Sequence, residues 1–462
     1  GGWRPTGAGP NAIVAATAPE MVRRSRDLAR NNLHGRRALS LYKTHLVGTG
    51  IKPRSLCRDE AVREAIHTLW ERWVPYADAD GAFDFYGLQT AVVGELVEGG
   101  ESFARLRPRR PADGLPVPLQ IQVIPTEQVP LDYAVPNGGN PVLQGIERDA
   151  IGRRVGYWMY RQHPGDVGLG TATDAWQLSR VDAADVCHVR VAPPGQLRGL
   201  PWLSVAIATL YQLGEWKDAA LLRKQLIASL VGFVRRALTQ DVSHEEMAKM
   251  WQDVQKGLYG EPTATLEPGT VQYLMPGEDI EFTQWQEVAG QDEVFERTQL
   301  RSVASGLDLI YEELSGDWSD VNDRTFRAQF NTLKRRMRQL QHQHICHQFN
   351  RVVYERWIDA AVASGALRVP AGVGDADLKN HEWRPERWEY INPKQDIEAE
   401  AAEVEAGFES RSGKIAERGG DAEIIDAQRK ADQERERRLE LSQGKPRISG
   451  DPADPRSQDA YP

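Results

Sequence analysis

A long helical run cut open by an inserted unit leaves this chain few ways to fold. From Pro201, a residue suited to a first helical turn, to about residue 228 the sequence is continuously helix-compatible. At 1.5 Å per residue such a helix is roughly 40 Å long, beyond the mean globular helix. A second helical run covers 287–307. Between them lies a small mixed unit: a strand over 230–238, a helix over 243–257 and short strands near Leu266 and over 271–275, separated by Pro-Gly turns. Ser243 and Glu246 form a capping box at the start of the inner helix. The two long helices are expected to pair antiparallel and carry the inserted unit at their far end.

The residues before this excursion read as one α+β domain. A basic amphipathic helix over 18–49 sets Arg23, Arg24, Arg26, Arg30, Arg36, Arg37 and Lys43 among Met21, Leu28, Leu33, Leu39, Leu41 and Leu46, with a break near 31–35 and stops at Gly48 and Gly50. Helices follow over 59–74, with Ile66, Leu69, Trp70 and Trp73 on one face, and over 85–98. Strands are expected over 102–107, 119–124, 145–148, 154–160 and 186–191. Beyond the excursion come a loop rich in Asp, Ser and Gly over 311–322, a helix over 323–363 and a final helical region over 394–441. The segment 444–462 has too few apolar residues to fold and reads as a disordered tail.

Composition then narrows function. With 57 Lys and Arg against 66 Asp and Glu, the formal charge is −9, which excludes a general DNA-coating protein. Cys57, Cys187 and Cys346 are odd in number and far apart, so a disulfide framework is excluded and a reducing compartment expected. No charged-then-apolar leader opens the sequence, and the longest mostly apolar stretch, 226–234, is about half of the roughly 18 residues a membrane span needs. The expectation is a soluble chain, made in the cytoplasm, with no membrane partner. Thirteen tryptophans point to large interfaces with partners. His342, His344, Cys346 and His347 do not share one helical face, so no metal site is assigned. Position 248 is Ala, so His244-Glu245 does not extend to a metalloprotease HExxH; GxxxxGK[ST] and GxSxG are absent, and no cofactor or catalytic residue is assigned.

Two charge runs stand out. Between Asp323 and Glu355, 31 residues contain no carboxylate but hold Arg324, Arg327, Lys334, Arg335, Arg336, Arg338 and Arg351. This basic helix either faces phosphates or a neighbouring subunit, or is a solvated face. The stretch 396–409 is its acidic counterpart, with Asp396, Glu398, Glu400, Glu403, Glu405 and Glu409; a helix N-terminus favours several of these charges, and a rim repelling DNA is the alternative.

Several sequence blocks in this order resemble the lambda family of tailed-phage portal proteins. They are Arg26-Asp27-Leu28-Ala29-Arg30-Asn31-Asn32, His45-Leu46-Val47-Gly48-Thr49-Gly50-Ile51, Gly145-Ile146-Glu147-Arg148-Asp149 with Gly152-Arg153 and Tyr157-Trp158, Gly195-Gln196-Leu197-Arg198-Gly199-Leu200-Pro201-Trp202-Leu203, Leu300-Arg301-Ser302-Val303-Ala304-Ser305-Gly306-Leu307, and Tyr311-Glu312-Glu313-Leu314-Ser315-Gly316-Asp317. The resemblance implies an α+β, predominantly helical fold with a portal-like wing, stem, clip and crown, assembled as a ring. The wing would take 1–200, the stem helices 201–228 and 287–308, the clip 229–286, the tunnel loop 309–322, the long helix and return to the wing 323–393, the crown 394–443 and the tail 444–462.

On that resemblance, Tyr311, Ser315, Asp317, Trp318, Ser319, Asp320 and Asn322 would form the DNA-facing tunnel loop, although Trp318 stands where small polar residues are expected. It further implies a homo-oligomeric ring, usually a dodecamer, at one capsid vertex of the virion, with double-stranded DNA in its lumen. Its partners would be the large terminase, the major capsid or scaffolding protein and a head-completion adaptor. A portal performs no bond chemistry; the competing readings are a nucleic-acid-processing enzyme of the phage head without a recognised motif, and a helical scaffold that handles no DNA.

Overall fold

A computed structural model describes residues 5–166, 177–229, 233–236, 243–245, 248–249, 278–281, 291–388, 393–418 and 420–439. The chain is α+β and predominantly helical, and divides into two compact units: Gly1–Ser204 with Trp318–Pro462, and Val205–Asp317.

The first unit opens with two helices, Pro10–Asn31 and Leu33–Leu46, parted within the stretch 31–35 where the basic helix was expected to break, the first beginning earlier than the expected residue 18. Asn32 makes the break. Its N–H closes the first helix on the Leu28 carbonyl, and its side chain accepts the N–H groups of His34 and Gly35, both at 3.0 Å, to cap the second. A Cβ on Gly35 would lie 2.6 Å from the Leu28 oxygen, so glycine is needed where the two helices meet. Helices Glu60–Trp73 and Phe85–Gly99 are capped by Asp59 and Asp84, and Gly100, at φ +88°, ends the second.

Strand Glu101–Pro108 then runs antiparallel between Leu119–Ile124 and Val186–Arg190. A four-stranded antiparallel sheet of Val142–Leu143, Ile146–Arg148, Arg154–Tyr160 and Leu178–Asp182 packs against it through Phe103, Ile124, Ile146, Tyr157 and Met159. A further pair, Lys52–Ser55 with His381–Arg384, has no counterpart in the sequence reading, because neither segment alternates apolar and polar residues and each becomes a strand through the other.

The core of this unit is aromatic. The ring centroid of Trp70 lies 5.0 Å from those of Trp73, Phe85 and Trp357, and Phe85 stacks on Phe349 at 5.9 Å. Trp70, Trp73 and Trp357 are at most 2% exposed. Assigning the tryptophans to interfaces with partners is therefore wrong for these three: rings from helices distant in sequence converge inside one chain, where edge-to-face pairs add about 1 kcal/mol each beyond their buried area.

The helix expected over 323–363 is continuous but not uniform. Asp323–Leu340 and Arg351–Ala363 are α-helical, and Gln341–Asn350 between them is wound more widely, with Arg351 N–H bonded to the Cys346 carbonyl. Both ends of the wide segment carry buried amides. Gln341 donates to the Leu46 carbonyl at 3.0 Å, and Asn350 accepts from Gln89, which also pairs with both backbone groups of Ile51. The final helical region consists of three helices: Pro393–Glu405, Arg411–Glu417 and Ala422–Arg438. Gly407, at φ +77°, and the N-caps Ser410 and Asp421 impose the breaks.

In the second unit helix Ile207–Ser229, which follows the short 3₁₀ turn Trp202–Ala206, lies antiparallel to Gln291–Gly306. Lys217 pairs with Glu296, Arg223 with Asp292 at 3.3 Å, and the Trp216 and Phe295 rings are 4.9 Å apart. Of the mixed unit between them, strand Phe233–Arg236 pairs antiparallel with Glu278–Glu281. The inner helix and the strands near 266 and 271–275 lie largely or wholly outside the described residues, as does the tail 444–462. No helix among the described residues is long and apolar enough to cross a membrane.

Candidate functional site

The expected loop over 311–322 begins as a helical turn, Tyr311–Ser315. Glu312 and Glu313 suit its first turn, and Gly316, at φ +75°, ends it. Ser315 Oγ donates to the Tyr311 carbonyl at 2.8 Å and accepts Asp317 N–H at 3.1 Å, while the Tyr311 hydroxyl donates to Asp317 at 3.0 Å. Arg297 adds an ion pair to Asp317 at 3.3 Å. Burial, with Asp317 beside it, raises the Tyr311 hydroxyl above its ordinary range. Tyr311, Ser315 and Asp317 are thus tied into a local knot rather than presented as free loop residues.

From Trp318 onward the side chains are more open. Trp318 is half exposed, its ring edge-on to Phe326 at 5.4 Å. Phe326 stacks on Phe330, and Phe330 meets Trp388, so a row of aromatic rings runs along the helix from Trp318. Ser319 and Asp320 are exposed, and Asn322 caps helix Asp323–Leu340 by accepting Arg324 N–H at 3.0 Å.

At 100° per residue, Arg324, Arg327, Arg335 and Arg338 fall within an arc of about 80°, opposite the buried Leu333, Met337 and Leu340. Arg324, Arg335 and Arg338 form no ion pair among the described residues, and Arg327 meets Asp323 only at 3.9 Å. Lys334 lies at the edge of this stripe, about 20° beyond Arg327, and only Arg336 leaves it. Lys334 Nζ lies 4.6 Å from the Phe330 ring centroid, and burial, with Arg338 nearby, lowers its pKa. Arg336 donates to Gln339 at 3.0 Å on another side of the helix. The acidic stretch is treated differently: Glu400 and Glu403 pair with Arg418 and Lys414 of the next helix.

The blocks that carry the resemblance turn out to position the fold. Arg198 is fully buried, with Nε 2.6 Å from Glu101, and its guanidinium also donates to the Val129 and Gln144 carbonyls. Glu101 accepts in addition from Thr126, Gly199 N–H and His188, the last at 2.8 Å. Burial alone would favour the neutral acid, but Arg198 and His188 hold the Glu101 carboxyl at about 2. Burial pushes the His188 imidazole down to about 4, against the pull of Glu101. Backbone contact explains the glycine: a Cβ on Gly199 would sit 2.1 Å from the Gly100 oxygen.

Arg26 bridges Glu95, Glu98 and Glu127, and Glu147 accepts from Arg180, Asn137 and Asn140. Glu101 and His188 were not singled out in the sequence. The one available signal was a carboxylate directly after Gly99-Gly100 at the start of an apolar strand.

The family model "Phage portal protein, lambda family" matches residues 1–341. The chain is 24% identical to the "Probable portal protein" of Halomonas phage phiHAP-1, over 90% of this chain and 80% of that one. It is 22% identical to "Portal protein B" of Escherichia phage lambda, over 92% and 85%. Among solved structures it is similar to a chain in the neck of a native GTA particle computed with C12 symmetry, with 15% identity, a TM-score of 0.46 and coverage of 86% and 94%. It is also similar to an HK97 family phage portal protein from Corynebacterium diphtheriae, with 14% identity, a TM-score of 0.27 and coverage of 70% and 86%. With its family model matched over most of its length, the chain belongs to the lambda family of phage portal proteins.

Proposed function

We propose that copies of this chain close into a ring, a dodecamer, at one vertex of a tailed-phage capsid, and that double-stranded DNA is packaged and ejected through its lumen. The carrying observation is the family match over residues 1–341, which takes in the proposed wing (1–200), stem (201–228 and 287–308), clip (229–286) and tunnel loop (309–322). In this reading 323–393 return to the wing and 394–443 form the crown. The clip docks the large terminase and later a head-completion adaptor, and the wing meets the capsid or scaffolding protein. The ring assembles in the host cytoplasm and performs no bond chemistry.

The charge distribution supports a sliding channel. Twelve chains at −9 carry about a hundred negative charges, which disfavours tight binding of phosphates. Against that background the stripe Arg324, Arg327, Arg335 and Arg338 supplies a local positive surface for DNA or a neighbouring subunit, and Trp318, Ser319, Asp320 and Asn322 form the lumen-facing part of the loop.

Negative-stain images of the purified protein test the reading: rings with a central hole are expected, and compact monomers overturn it. In heads carrying a portal with 316–321 deleted, rings should persist while packaging or DNA retention fails; normally filled heads would remove the loop from the mechanism. Arg335→Glu with Arg338→Glu should change packaging or assembly, whereas Arg336→Glu alone should have the smaller effect. Unchanged packaging and assembly in the double variant would mark the stripe as a merely solvated face.

A further inference from the structure

Strand Glu101–Pro108 changes character along its length. Glu101 and Phe103 are buried, whereas Arg105 and Arg107, two and four positions beyond Phe103 on the same face, are half-buried. Arg109 extends the row, because its N–H continues the ladder to the Pro118 carbonyl at 2.9 Å. Three arginines thus share one face at intervals of about 6.7 Å along the strand, and the exposed Arg110 follows. None of the four forms an ion pair among the described residues, and neither neighbouring strand, Leu119–Ile124 or Val186–Arg190, contains a carboxylate. Other half-buried arginines of the same unit are neutralised: Arg26 by Glu95, Glu98 and Glu127, Arg54 by Asp421, and Arg63 by Glu423.

The row is held by neutral groups instead. Arg107 donates to Gln122, and Arg109 Nε donates to Gln120 at 2.8 Å. The Gln120 amide is fixed in turn by donating to the Tyr76 and Asp78 carbonyls. Amide oxygens orient a guanidinium without cancelling its charge. Burial, with Arg105 and Arg109 on either side, lowers the Arg107 pKa, so like charges crowd one another here. A cavity of about 400 Å³ opens beside Arg107, Arg109 and Gln122, and Asp78 and Asp80 line it as well. Asp78 is occupied within its own turn, accepting the N–H groups of Asp80, Ala82 and Phe83 at 3.1, 2.9 and 3.0 Å, and neither carboxylate pairs with an arginine.

We propose that Arg105, Arg107 and Arg109 form a docking row for an extended acidic segment of a partner protein, whose alternate carboxylates meet alternate guanidinium groups. This rests on the reading above in which the wing meets a capsid or scaffolding protein, and it gives that contact a surface and a chemistry. Same-face side chains of an extended peptide repeat at the same spacing of about 6.7 Å, and a guanidinium takes a carboxylate through two parallel N–H bonds. The acids around the row, Asp78, Asp80 and Asp113 of the following turn, argue against DNA as the occupant. They repel a duplex, which carries a charge every 1.7 Å or so along its axis (about 1.7 Å), but leave room for a few carboxylates.

The test titrates full-length protein into a fluorescein-labelled, capped peptide in which Glu alternates with Ser, read by fluorescence anisotropy at low ionic strength. Binding is expected, and the same peptide with Gln for Glu should bind roughly tenfold more weakly or worse. Arg105→Gln, Arg107→Gln and Arg109→Gln combined should weaken the Glu peptide by roughly tenfold or more, and the three Lys replacements, which keep the charge but lose the paired geometry, should fall between. Arg335→Gln with Arg338→Gln, on the basic helix, should leave peptide binding nearly unchanged; an equal loss there would make the binding a general charge effect and overturn the row. Absent binding, or equal binding by the triple Gln variant, also overturns it. So does a double-stranded oligonucleotide that binds more tightly than the peptide through the same three arginines. Rings formed by the Gln variant in negative stain certify its fold, and the Lys series carries the comparison if they are lost. Unsubstituted protein that never forms rings overturns the portal reading itself, whatever the peptide does.

Discussion

The aromatic core around Trp70 and the helices from Pro393 to Arg438 are both rich in secondary structure, yet they are stabilised in opposite ways. In the core, Trp70, Trp73, Phe85, Tyr354 and Trp357 are buried on one another, and three helices meet there. In the C-terminal helices, Ile397, Phe408 and Ile424 are at least half exposed, and ion pairs between exposed or half-buried side chains do most of the joining. Such pairs contribute about 0–1 kcal/mol each. The difference separates a region held by buried rings from a region held mainly by ion pairs at its surface.

The sharpest way to break this comparison is to truncate a ring in each region. Trp357→Ala should destabilise the isolated subunit by about 3–5 kcal/mol in urea denaturation, since a cavity is left among rings that cannot all collapse inward. A loss below about 1 kcal/mol would show that the core is not the stabilising centre.

Acid supplies the next largest effect. His188 is held neutral, at about 4 against an ordinary 6.5, so between those pH values the unfolded chain binds a proton that the folded chain does not. Stability should therefore fall as pH falls through that window, by on the order of 3 kcal/mol. Glu101, depressed to about 2 from an ordinary 4.5, extends the loss of the same sign below pH 4.5. His188→Gln should flatten the slope between pH 6.5 and 4; an unchanged slope would assign it to other groups. The C-terminal helices, held by exposed pairs, should contribute little to that slope.

The smallest effect sharpens the contrast. Phe408→Ala should change the stability of the subunit by less than about 0.5 kcal/mol, as expected of an exposed site. A large loss in the isolated subunit would mean that Phe408 packs within its own chain.

Much of the architecture was legible because it is local. Asn32, Asp59 and Asp84 are ordinary helix caps, Gly100 is an ordinary helix stop, and strands 119–124 and 154–160 appear where their residue patterns place them. Of the basic run, spacing alone shows that Arg324, Arg327, Arg335 and Arg338 share one helix face, and three of these four are exposed. What spacing could not reveal was that Tyr311, Ser315 and Asp317 would bond to one another, or that Lys334 would lie against Phe330.

By itself, then, the sequence determined where several helices are capped or stopped, the two long helical runs either side of an inserted unit, the carboxylate-free run from Arg324 to Tyr354 and the blocks that mark the family. These depend on capping, periodicity and residue order, which act over a few positions. Tertiary structure alone decided that Lys52–Ser55 and His381–Arg384 are strands, that Arg198 and His188 both close on Glu101, and that Trp70, Trp73 and Trp357 pack inside one chain. Each of those outcomes requires partners far apart in sequence, and both the desolvation of a charge and the pairing of a strand acquire their free energy only when the partner arrives.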